Sequence, residues 1–158
     1  MRKTPIVGAL AVSVVALLSG SAVLAADTWI GSWKLDVAKS KFSPGPAPKS
    51  MTLKFAATAD GIQFTSDGVD AEGKPTHSEF ASKFDGKEVP YKGNPNADMH
   101  APKRIDDNSF ENTWKKDGKV TIKIHGVVSK DGKTMTVHQT GKDAKGQAVN
   151  NTVVFTRQ

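Results

Sequence analysis

The 158-residue sequence contains no cysteine. Disulfides, thiol nucleophiles and thiolate metal sites are thereby excluded, so stability must come from sheet pairing and core packing. The same absence rules out a lipid-anchored lipoprotein, because no cysteine follows the N-terminal apolar run. Aromatic residues are few, with seven Phe, three Trp and one Tyr, so each one that shares a face carries weight. Positive charge exceeds negative, 22 Lys and Arg against 16 Asp and Glu. The lysines gather in turns such as Lys115-Lys116-Asp117-Gly118-Lys119 and Lys130-Asp131-Gly132-Lys133, however, and no aromatic-interleaved basic stripe accompanies them. Nucleic acid is therefore not an expected partner. Beyond residue 25 there is no convincing amphipathic helix and no long apolar run.

What is present begins with a leader. Arg2 and Lys3 precede an apolar stretch from Ile6 to Leu18, and small residues then lead to Val23-Leu24-Ala25. This is the pattern of a secretory signal peptide over residues 1–25, with cleavage before Ala26. The alternative is an uncleaved anchor, but a spanning helix needs roughly 20 apolar residues, and Gly8, Ser13, Ser19 and Gly20 interrupt this one. Cleavage leaves no stable membrane span and lowers the net charge from +6 to +4, since Arg2 and Lys3 go with the leader. The short basic start points to a bacterial protein destined for the periplasm or the exterior. Residues 26–158 suffice for one domain with one hydrophobic core.

Turn signals punctuate that domain at Asp60-Gly61, Asp67-Gly68, Glu72-Gly73, Asp85-Gly86, Asp117-Gly118, Asp131-Gly132 and Lys145-Gly146. Asp-Gly between alternating runs marks a hairpin, because glycine takes the positive φ that tight turns need. Strands are expected near 29–36, 50–58, 61–68, 75–84, 97–106, 109–116, 119–128, 133–141 and 147–157. The expected fold is all-β, a single antiparallel up-and-down β-barrel of about eight or nine strands with little or no helix. Phe42 to Pro48 and Val89 to Asn96 are proline-rich and should be extended loops, either connectors or lids over a barrel mouth. Asp70 to Lys74 and Asp143 to Gln147 look like one turn chemistry used twice.

A period of two sends neighbouring side chains to opposite faces. One face then carries Trp33, Leu35 and Val37; Met51, Leu53 and Phe55; Ile62 and Phe64; Phe80 and Phe84; and Phe110 and Trp114. It continues through Val120, Ile122, Ile124 and Val128, then Met135 and Val137, then Val149, Val153 and Phe155. A two-residue loop at Asp131-Gly132 pairs Val128 with Met135 and Gly126 with Val137. At Asp117-Gly118 a three-residue loop with a glycine bulge pairs Trp114 with Val120 and Phe110 with Ile124. The same inward parity carries Ser66, Ser78, Ser82, Asn112, Gln139 and Asn151. Buried amides cost roughly 1–3 kcal/mol each unless hydrogen-bonded, so these groups need one another, water or a ligand.

Conventional reaction chemistry is missing. His77, His100, His125 and His138 are widely spaced. His125 and His138 are expected to oppose one another on the outer face, short of the three or four ligands that zinc takes. No nucleophile-elbow pattern follows the leader, and Asp106-Asp107 reads as a turn start rather than an acid/base pair. Neither an enzyme nor a cofactor is expected.

Gly31-Ser32-Trp33 at the start of the first strand and Arg157 at the end of the last resemble the ends of lipocalin and calycin barrels. Trp33 to Phe42 is similar to the start of a group of uncharacterised secreted bacterial proteins with a lipocalin-like domain. The resemblance implies that Gly31, Trp33 and Arg157 close one end of the barrel, with the guanidinium packed over the indole. The two-helix lid of fatty-acid-binding proteins has no counterpart between Val37 and Lys49. On this reading the lumen binds a small, mostly apolar ligand, with Phe64, Phe80, Phe110 and Trp114 as wall and Asn112, Gln139 and Asn151 as orienting groups. The competing reading is a filled-core interaction or inhibitor-type protein that acts through its loops.

Overall fold

Alternating runs joined by Asp-Gly turns fold as hairpins, except that Asp67-Gly68, expected as a turn, lies inside a strand and pairs with Thr52 and Met51. The computed structural model describes residues 27–158, so the leader over 1–25 lies outside the described residues. Ten strands follow in order: β1 Gly31–Leu35, β2 Ser50–Thr58, β3 Gly61–Val69, β4 Pro75–Ser82, β5 Val89–Pro90, β6 Met99–Asp106, β7 Ser109–Lys116, β8 Lys119–Val128, β9 Thr134–Lys142 and β10 Ala148–Arg157. All pairings are antiparallel, in the sheet order β4-β3-β2-β1-β10-β9-β8-β7-β6-β5. The sheet curls until its two edges meet: Glu79 and Lys92 exchange backbone hydrogen bonds of 3.1 Å, and the segment after β4 bridges β6 at Asp85 and Lys103. The result is a nearly closed up-and-down barrel. Its helical content among the described residues is one 3₁₀ turn, Val37–Lys39, which Asp36 caps by accepting from the Lys39 amide.

The strand count exceeds the expected eight or nine because Val89-Pro90, read from sequence as loop, is β5. Pro90 suits an edge position, where a missing amide leaves no ladder bond unmade. Phe42 to Pro48 is a connector. Its first part continues beside β10, with Lys41 bridging Thr152 and the Ser43 carbonyl accepting from the Asn150 amide. The turns at Asp70 and Asp143 are the same device. In each, an aspartate carboxylate accepts from the amide four residues on at 2.8 Å, and a glycine at φ +91 or +82 closes the turn.

At Asp131-Gly132 the pairs Val128 with Met135 and Gly126 with Val137 form as the alternation dictates. At Asp117-Gly118 they do not. Phe110 pairs with Gly126 and Asn112 with Ile124, rather than Phe110 with Ile124 and Trp114 with Val120. Asp117 and Gly118 both take positive φ, +49 and +74, which makes a tight two-residue turn. Such a turn matches the twist of the flanking strands. The extra residue therefore sits inside the hairpin as a bulge near Trp114, and Val120 is turned outward, 52% exposed. Val37 also leaves the expected inward face, because it enters the 3₁₀ turn and is 42% exposed.

Pairing Phe110 with Gly126 lets the phenyl ring lie over the glycine. A Cβ built on Gly126 would approach Phe110 Cζ to 2.4 Å. Gly126→Ala is expected to destabilise the barrel by about 1–3 kcal/mol through overpacking. Phe110→Leu in the same chain should recover part of that loss, because the two sites share one contact. Urea unfolding of the single and double variants checks this, and strict additivity would contradict it.

Candidate functional site

Strand direction gives the barrel two ends. β1 rises from the base, and the connections at 59–60, 83–88, 107–108 and 129–133 gather there with it. Those at 36–49, 70–74, 91–98, 117–118 and 143–147 form the mouth.

The base is plugged. Trp29 is fully buried, with its ring 4.7 Å from Phe84, 5.4 Å from Phe110 and 5.7 Å from Phe55. Trp33 donates through Nε1 to the Trp29 carbonyl at 2.9 Å. Arg157 lies across the Trp33 ring, its Cζ 4.2 Å from the centroid. The guanidinium also donates to the carbonyls of Gly132 at 2.6 Å, Ile30 at 3.0 Å and Thr28. Gly31, at φ +130, leaves room for it, since a Cβ there would approach Arg157 Nη1 to 2.7 Å.

Above the plug the lumen opens into a cavity of about 330 Å³. Phe64 and Phe80 stack on its wall with centroids 4.6 Å apart. Phe110, Trp114, Asn112 and Gln139 also line it, as do Ser66 and Ser78. Asn151, expected as an orienting group, is not part of the wall. Its Nδ2 donates to Gln139 Oε1 at 3.0 Å, and its Oδ1 accepts from the Ser43 amide at 2.8 Å. It thus fixes Gln139 and the connector.

Tyr91 and His100 escaped the sequence reading, and the 89–96 segment, expected as a connector or a lid, crosses the mouth. Tyr91 is a buried wall residue with its ring 5.5 Å from Trp114. Residues 93–96 strap the mouth: the Asn96 carbonyl accepts from Thr121 Oγ1 at 2.8 Å, and its Oδ1 accepts from the Ala144 amide at 3.1 Å. His100 is fully buried, stacked on Tyr91 at 4.6 Å and edge-on to Phe80 at 4.0 Å. The placed amide of Asn112 sets its Nδ2 2.9 Å from His100 Nδ1, which makes that nitrogen an acceptor and leaves the ring proton on Nε2. Burial pushes the His100 pKa down from 6.5 to about 4, so the imidazole is neutral at neutral pH. The one signal that existed for these residues was Tyr91 beside Pro90, in a segment whose prolines spoke for loop.

His77 differs from His100. It is exposed near the mouth, and its Nδ1 lies 2.6 Å from Asp67 Oδ1, which raises its pKa. His125 and His138 face one another across β8 and β9 on the outer surface. Among the described residues no group of three or more His, Asp or Glu is placed to hold a metal ion, and no helix is long and apolar enough to cross a membrane.

Fold and site together define a small up-and-down β-barrel with a plugged base and an aromatic-lined cavity beneath a strapped mouth. No protein-family model and no curated protein matches the chain. Among solved structures it is similar to the zebrafish ileal bile acid-binding protein in complex with cholic acid, with a TM-score of 0.48 and 12% identity. That alignment covers 83% of this chain and 99% of the other.

Proposed function

We propose that this protein is an exported, non-enzymatic carrier that holds one small, mostly apolar molecule in the upper half of its barrel. The observation that carries the reading is that the aromatic plug fills only the base. A cavity of about 330 Å³ remains above it, with an apolar wall and a few polar groups. That is the composition of small-molecule sites, in which burial supplies affinity and sparse polar groups set orientation. A filled-core protein acting through its loops would have no such lumen. The cavity hydroxyl of Ser78 is directed at Tyr91 Oη, 3.4 Å away, rather than at a base that would activate it. Export rests on the leader at residues 1–25, and cleavage before Ala26 releases the barrel to the periplasm or the exterior.

Native mass spectrometry on protein taken from its own cell envelope tests both parts. The expected polypeptide mass is that of residues 26–158, carrying one small-molecule adduct that denaturation releases. Ser66→Trp, which projects an indole into the cavity, is expected to keep the fold by circular dichroism and lose the adduct. A full-length mass would overturn export. An adduct that persists in the Ser66→Trp variant would place binding outside the lumen.

A further inference from the structure

Among the described residues, three buried polar atoms in the upper barrel have no protein partner: His100 Nε2, Asn112 Oδ1 and Trp114 Nε1. A fourth, Trp29 Nε1, belongs to the base plug. Asn112 and Trp114 are the two that form part of the cavity wall, and both stand on β7, two residues apart. Asn112 is only 7% exposed. Because its Nδ2 is held against His100, its carbonyl oxygen is the free end. Asn112 Oδ1 and Trp114 Nε1 are thus an unmatched acceptor and an unmatched donor on two wall residues of one strand. Buried polar groups of this kind are costly to leave unmatched.

A hydroxyl group both donates and accepts, so it satisfies the pair. A hydrocarbon satisfies neither atom. A carboxylate accepts from Trp114 but turns only lone pairs toward Asn112 Oδ1, and it brings a charge that needs a partner when desolvated. Among the described residues no Lys or Arg lines the cavity, and its two charge-bearing wall residues, Asp70 and His77, belong to the mouth.

We propose that the cavity selects an uncharged amphiphile bearing a hydroxyl group, which accepts a hydrogen bond from Trp114 Nε1 and donates one to Asn112 Oδ1. Ligands of this class include long-chain alcohols and hydroxylated polycycles; the matching carboxylates are disfavoured. The inference rests on the lumen-binding reading and narrows its ligand class.

The test is displacement of the neutral fluorophore N-phenyl-1-naphthylamine by 1-dodecanol, its methyl ether and dodecanoate at neutral pH. The alcohol is expected to displace the probe at about tenfold lower concentration than either competitor. The ether accepts but cannot donate, so it isolates the bond to Asn112. Trp114→Phe removes the indole N–H with little change in shape, and Asn112→Leu removes the acceptor. Each should bring the alcohol and the ether to within about twofold of one another, and the phenylalanine variant remains informative even if the leucine variant fails to fold. Dodecanoate binding as tightly as the alcohol, or an unchanged preference in folded variants, overturns the hydroxyl assignment while leaving the lumen reading intact. No saturable probe binding to the wild-type protein overturns the lumen reading and this inference with it.

Discussion

Trp33→Ala is expected to lower the unfolding free energy by about 3–5 kcal/mol, the range for removing a large aromatic side chain from a packed core. Trp33 is fully buried, and its indole N–H ties β1 to the Trp29 carbonyl. β1 is only five residues long, yet it joins β2 to β10 and so carries the sheet across the chain ends. Domains of this size are stable by roughly 5–15 kcal/mol in total, so the loss should be visible as a large drop in urea midpoint at nearly constant slope. Arg157→Ala removes the guanidinium from the ring and its donations to three base carbonyls. Because the two residues share a contact, the double variant should lose less than the sum of the singles. A Trp33→Ala loss below about 1 kcal/mol, or strict additivity with Arg157→Ala, would contradict the base-plug account.

The second large effect is a pH dependence centred on His100. Unfolding returns this buried imidazole to water, where its pKa rises from about 4 to 6.5. Between those values the unfolded chain binds the proton and the folded chain does not. The His100 contribution is therefore complete above pH 6.5 and is lost as the pH falls toward 4, up to about 3 kcal/mol. The groups packed on the ring are Phe80, Tyr91 and Asn112, with Trp114 its partner across the ladder. None of them carries a charge that would hold an imidazolium in place. His77 works in the opposite sense and above this range: the hydrogen bond to Asp67 raises its pKa, so its contribution is complete below pH 6.5 and is lost as the pH rises. The lowered pKa values of Asp36, Asp98, Asp106 and Asp131 act below 3.8. Comparing wild type with His100→Gln isolates the effect: stability of the wild type should fall more steeply from pH 6.5 to 4. Parallel profiles would show that His100 takes up its proton without leaving the core.

The hairpins were legible because Asp-Gly turns fix both the ends of a strand and the parity of its neighbours. That parity placed Phe64, Phe80, Phe110, Asn112, Trp114 and Gln139 on the inner side, and these six line the cavity. It misplaced Val120, because a bulge inside β8 shifts the register without leaving a residue signature. Asn151 has inward parity but spends its amide on Gln139 and the Ser43 backbone, a choice set by the connector lying alongside β10. His100 was hidden because Met99-His100-Ala101-Pro102 shows no clean alternation of apolar and polar residues. β5 was hidden because its two residues lie among prolines and asparagines, where composition signals loop. What eluded the sequence was thus set by tertiary pairing rather than by local preference.

Asp27 and Gln158 both sit at the base, where the Gln158 amide donates to the Ser32 carbonyl at 3.0 Å. The mouth and its strap lie at the opposite pole. A sensor surface, a fluorescent fusion or a purification tag joined through Gln158 accordingly grips the barrel from beneath, orienting every immobilised molecule with its entrance toward the solution.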